Sequence, residues 1–274
     1  MSRHLSSALF LLALTACGGS ETVNEAPAPV PTPAPEVVHE ADTEATVADV
    51  LVPSPSETQR AVAAAGIDTT LATLIEHPEI NTNEGSEDQV AVSTGVVVAD
   101  LLLTAKTSSN DQLVAQLASI QAGMAKLEAG SDIDAILEDL KTRVAAESIT
   151  RDELVSELEA LSGAVIPELE FNGRARIVPL IQAGSWLEAS NLLSRALLDA
   201  HQPAAADALL KQPEVVDYFQ RYASDHGMDA PLPVTETLLT TLETLSKVSN
   251  KDGSLSDEDL AAVRDATQSV LALL

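Results

Sequence analysis

Few residue types in this chain can do chemistry on their own. Asp100 stands alone as a charge inside Val90 to Leu103, a stretch otherwise dominated by apolar residues. A carboxylate there needs a cation, several hydrogen-bond donors or a route to water, because an unpaired buried charge costs several kcal/mol. Arg174 and Arg176 are the partners the sequence offers, and an ion pair of Asp100 with Arg174 or Arg176 is one expectation. Asp100 reaching solvent is the other. The single cysteine, Cys17, excludes an intramolecular disulfide and any cysteine-rich metal site. The five histidines are scattered, and no His-Glu-x-x-His, phosphate-binding loop, glycine-rich dinucleotide turn or Gly-x-Ser-x-Gly is present. No catalytic residues are assigned.

The surroundings of Cys17 give it a role. Leu5 to Leu14 form a short apolar run behind Arg3, too short for a bilayer span, which takes roughly 20 residues. It ends in Leu14-Thr15-Ala16-Cys17, which resembles the bacterial lipobox. The resemblance implies a lipoprotein signal peptide over 1–16, cleavage before Cys17 and covalent lipid on its sulfur, palmitate among the acyl chains. Two or three acyl chains hold a protein to a membrane almost permanently, since each buried CH2 contributes about 0.8 kcal/mol. The thiol would then be consumed. Gly18 follows where Asp would favour inner-membrane retention, so the expected location is the cell envelope, with the outer membrane favoured over the inner.

A second resemblance lies near the C-terminus. Val248 to Asp259, between two predicted helices, resembles the twelve-residue calcium loop of EF-hands. It implies oxygen ligands from Asn250, Asp252, Ser256 and Asp259, a backbone carbonyl from Ser254, and Gly253 at the sharp turn. Val248 stands where the first carboxylate belongs, and Asp259 is shorter than the usual Glu. The same residues also read as a plain αα-hairpin, with Gly253 capping one helix and Ser256 starting the next. Calcium is the cofactor this loop would take; no other cofactor is expected.

These residues need elements to hold them. Residues 17–55 read as a lipidated N-terminus and an acidic, proline-rich tether. Pro27, Pro29, Pro31, Pro33 and Pro35 favour extended polyproline II, and no Lys or Arg occurs between Arg3 and Arg60. A spacer of set length and a disordered leader fit this composition equally. Residues 56–274 read as an all-α domain, an irregular multi-helix bundle with a C-terminal helix-loop-helix over 235–273. Ala and Leu dominate and recur at three and four. Ser56/Gln59, Ser86/Gln89, Ser109/Gln112, Thr150/Glu153 and Ser256/Asp259 have capping-box spacing. Helices are predicted over 57–65, 68–77, 87–106, 110–129, 132–147, 151–163, 173–200, 204–211, 214–225, 235–249 and 257–273, with Pro78, Gly130, Gly163 and Gly227 as stops. Pro179 should kink its helix or shift the start, and Gly95 should let a neighbour approach closely.

Three short segments carry a further likeness. Gly95-Val96-Val97-Val98-Ala99-Asp100-Leu101, Asn172-Gly173-Arg174 and Ala183-Gly184-Ser185-Trp186-Leu187-Glu188 resemble, in this order, a group of all-helical bacterial envelope lipoproteins best represented in Bacteroidetes. Ser185 and Ala189 stand where that group has glycines, and the aromatics usual around Asp100 are aliphatic here. The resemblance implies a fold and a compartment but no activity.

A formal net charge of -27 with only 2% aromatic residues repels phosphate backbones and offers little for stacking, so no nucleic-acid partner is expected. The resulting expectation is an envelope lipoprotein, held to the membrane by its acyl chains, that acts by contact or scaffolding on an envelope protein partner. Calcium binding and carriage of a small hydrophobic ligand are the alternatives.

Overall fold

The computed structural model describes residues 52–67, 71–75, 80–202 and 205–274. The signal, Cys17 and nearly all of the tether lie outside them. Every regular element among the described residues is a helix: α1 (Pro55–Ala65), α2 (Leu71–Leu74), α3 (Glu87–Thr104), α4 (Asn110–Lys126), α5 (Ser131–Ala145), α6 (Arg151–Phe171), a short 3-10 turn (Ala175–Ile177), α7 (Val178–Asp199), α8 (Ala206–Leu210), α9 (Pro213–His226), α10 (Leu232–Ser249) and α11 (Asp257–Leu271). The all-α expectation holds.

Local chemistry explains most starts. The side chains of Ser109, Thr150 and Ser256 each accept from the backbone N–H three residues on, and the residue there accepts the cap's own N–H in return. Ser86 accepts from the Gln89 N–H in the same way. Each such cap contributes about 1 kcal/mol. The first helix begins earlier than the Ser56/Gln59 spacing suggests, with Ser54 and Glu57 forming the box and Pro55 following the cap. Proline suits that place because its missing N–H would have had no helical partner.

Among the boundaries that differ from expectation, those of α6 and α7 have clear physical reasons. α6 does not stop at Gly163; it continues through Pro167 to Phe171. Its buried stripe of Leu154, Leu158, Leu161 and Leu169 spans the whole length. Gly163 and Pro167, four residues apart, both lie on the exposed side. The carbonyl that proline cannot bond thus belongs to an exposed residue. The stop falls instead at Gly173, whose φ of 73° is a left-handed conformation few side chains tolerate. α7 starts at Val178 rather than 173, with Pro179 in its first turn, so the proline shifts the start. Of the helix expected over 68–77, the described part is α2; 68–70 and 76–77 lie outside the described residues.

The body is organised around α3 and α7, which pack along their lengths. α4, α5 and α6 build one apolar cluster beside this pair, and α8 to α11 build a second with the later turns of α7. Contact is closest where glycine faces backbone. A Cβ added to Gly95 would come within 2.0 Å of the Ile181 carbonyl oxygen, and one added to Gly184 within 2.0 Å of that of Val92. The Ser185 hydroxyl donates to the Gly95 carbonyl at 2.8 Å. Glu87 faces Arg174 and Arg176, Gly95 faces Ile181 and Ser185, and Asp100 meets Glu188. The numbers rise together, so the two helices run parallel. Among the described residues no helix is long and apolar enough to cross a membrane.

Candidate functional site

The parallel register decides what Asp100 meets. It is 3% exposed and is hydrogen-bonded to the Glu188 carboxyl, itself 1% exposed. Burial pushes the Asp100 carboxyl up to about 7, against the opposing effect of the hydrogen bond from Glu188. Two carboxyl groups in contact away from water share a proton, since both cannot ionise there. The expected ion pair with Arg174 or Arg176 is not formed. Arg174 pairs with Glu87 at 2.7 Å and with Glu128; Arg176 pairs with Glu87 at 2.8 Å and with the fully buried Asp88 at 2.7 Å. Both arginines precede α7 and therefore lie beside the first turn of α3. Asp100 is thirteen residues further along, about 20 Å at the helical rise, beyond their reach.

α3 and α7 each carry more buried polar groups. The hydroxyls of Thr94 and Thr104 donate to carbonyls one turn back, those of Val90 and Asp100. Those of Ser190 and Ser194 do the same with Trp186 and Asn191. Ser93 Oγ, Asp100 Oδ1 and Asn191 Oδ1 have no hydrogen-bond partner among the described residues. The polar contacts that do cross between α3 and α7, Ser185 to Gly95 and Asp100 to Glu188, fix the pairing of the two helices more than they strengthen it.

The opening in the structure lies elsewhere. A cavity of about 600 Å³ sits among α3, α4, α5, α6 and α7, with the start of α1 at its rim, a volume usual for small-molecule sites. Neither Asp100 nor Glu188 lines it. From α3 come Val98, Leu101 and Leu102, from α4 Ile120 and Met124, and from α5 Ile133 and Leu137. Its polar liners all lie in or just before three other helices: Ser54, Glu57 and Arg60 at α1, Glu159 and Ser162 on α6, Gln182 and Ser185 on α7. Glu57 is held below the usual carboxylate range by the backbone N–H and hydroxyl of Ser54, with the Arg60 charge adding to this.

At the 248–259 loop the structure brings Ser256 and Asp259 together but not the rest of the implied ligand set. Asp259 Oδ2 accepts from the Ser256 N–H and hydroxyl, each at 2.7 Å, and from Lys251 Nζ at 2.6 Å. Partial burial raises its pKa, but these bonds outweigh it and bring it down to about 2. Asn250 caps the end of α10, its amide donating to the Ser246 carbonyl at 2.9 Å. Asp252 and Ser254 are exposed, and the Ser254 side chain bonds Asp207. The Lys211 ammonium donates to the Lys251 carbonyl at 3.0 Å and also to that of Gly253. A cation of the chain's own thus sits on loop oxygens. Among the described residues no group of three or more His, Cys, Asp or Glu is arranged to hold a metal. Cys17 lies outside the described residues.

Sequence reasoning missed Glu188, Lys211 and the cavity. Glu188 had a signal, since it ends the Gly184-Ser185-Trp186-Leu187-Glu188 step and is a second acid in a mainly apolar helix. No protein-family model matches the chain, and neither a curated protein nor a solved structure matches it.

Proposed function

We propose that this chain is a lipid-anchored envelope protein whose helical body carries a small hydrophobic ligand in the cavity beside α3 and α7. The cavity is the observation that carries the reading. Its α3, α4 and α5 walls are entirely apolar, and it holds about 600 Å³. An open cavity of that size with apolar walls is usual for small-molecule sites. A completely filled core would have favoured action by contact or scaffolding. The anchor rests on the lipobox at Cys17 and places the ligand exchange at an envelope membrane, the outer in preference to the inner. Val52, Pro53 and Ser54, the last residues of the expected tether, belong to the cavity rim. The buried Asp100–Glu188 pair does not line the cavity and has no part in this role.

The test is mass spectrometry of the full-length protein extracted from its native membrane. A co-purifying apolar molecule, absent from a variant in which Leu137→Trp fills the cavity, is the expected result. Native protein carrying no more bound molecule than the filled variant would end the reading.

A further inference from the structure

The cavity's polar groups are segregated, and their placement specifies the ligand more narrowly than hydrophobicity does. The α4 and α5 wall, with Ile120, Met124, Ile133 and Leu137, can receive only hydrocarbon. Across from it Gln182 on α7 is half-buried, and its side-chain amide makes no hydrogen bond among the described residues. The Ser162 hydroxyl on α6, also half-buried, lines the same cavity and likewise makes no hydrogen bond among the described residues. An amide offers both donors and an acceptor, and a hydroxyl offers one of each kind.

Charge is confined to the rim. Glu57, Arg60 and Glu159 are exposed, and the charge of Arg60 acts on Glu57. Glu159 has no ion pair among the described residues. A charged headgroup drawn inside would meet no opposite charge, and burying it unpaired is costly. An anionic one would also approach a rim with two acids and one base on a body of strongly negative net charge. A cationic one would remain at the solvated rim beside Glu159, where an ion pair contributes little, leaving the Gln182 amide unmatched.

We propose that the ligand is a single-chain amphiphile with an uncharged, hydrogen-bonding head, an ester, amide or alcohol, its head at Gln182 and Ser162 and its chain against α4 and α5. This inference rests on the carrier reading and narrows its ligand class.

Three photoactivatable probes with the same acyl or alkyl chain separate the two: a monoacylglycerol, a fatty acid and an alkylamine, each offered to membranes containing the full-length chain. The monoacylglycerol should label peptides of α4 and α5 at concentrations at least about tenfold lower than either charged probe. Its potency should rise about fourfold for each CH2 until the cavity is full. Gln182→Leu should erase the preference for the uncharged head while labelling by the chain persists, and thermal melting of that variant reports whether it is folded. Equal labelling by all three probes, or preference for a charged one, overturns the inference and leaves the carrier reading standing. Labelling of α4 and α5 by none of them overturns both.

Discussion

Asp100 ties a side chain to the solution pH. Its carboxyl lies well above the ordinary 3.8 because burial disfavours the charge. Below the ordinary aspartate range the folded and unfolded chains both hold this proton. As pH climbs from about 4 toward about 7 the unfolded chain releases it and the folded chain retains it, so this residue's contribution falls, by at most about 1.4 kcal/mol per pH unit, and flattens above. Asp100→Asn removes the titration and keeps, in its amide oxygen, an acceptor for Glu188. The variant should be more stable than the native chain at pH 8, with the difference shrinking toward pH 4. Urea unfolding at several pH values measures it, and a constant difference would contradict the buried pair. The glycines of α3 and α7 are a second matter at this scale. Because a Cβ on Gly184 would meet the Val92 carbonyl at 2.0 Å, and backbone cannot step aside as a side chain can, Gly184→Ala should cost about 3 kcal/mol or more. A melting temperature within a degree or two of the native chain would mean that the helices are not so close.

Among the elements, α6 is the informative one. Gly163 meets nothing within 4 Å at the place its Cβ would occupy, and it lies in the middle of a helix. Gly163→Ala should therefore raise stability by about 0.5–1 kcal/mol, readable as a shift in the urea midpoint without change of slope. A loss would indicate that α6 breaks there. The same helix shows where sequence is readable and where it is not. Ser109, Thr150 and Ser256 announce their helices because a cap is satisfied by atoms three residues away. Gly163 looked like a stop under an equally local rule, but the leucine stripe on the opposite face outweighed it. Asp100 and Glu188 were each visible as acids in mainly apolar helices. Their meeting was not, because it depends on the register of two parallel helices far apart in sequence. The proximity of Arg174 and Arg176 to Asp100 failed for the same reason. The cavity had no sequence signal at all, since a void is what several helices leave between them and belongs to no residue.

At the scale of the whole molecule, the anchor and the cavity make separate demands. If Cys17 is lipidated, globomycin, which blocks lipoprotein signal cleavage, should leave a precursor longer by the first sixteen residues; an unchanged band on a gel would remove the membrane from the account. That outcome would leave the cavity untouched, because its lining begins at Val52. The opposite result for ligand binding would likewise leave the anchor standing. If the chain is anchored, its excess of acids over bases should repel it from anionic headgroups within about a Debye length of the surface.

Parallel pairing of α3 with α7 also bears on how the chain is made. Antiparallel neighbours can close as soon as a short connection is synthesised, whereas α3 must wait for everything from residue 105 to 177 before its mate exists. Until then the side of Val90 to Leu103 that packs on α7 stays uncovered, while α4 can already cover another side. A nascent chain that emerges N-terminus first would spend that interval with one side of this apolar helix uncovered, a condition in which chaperones hold unfinished chains. Any product truncated before Val178 would keep that side of α3 uncovered and should be a target for proteolysis.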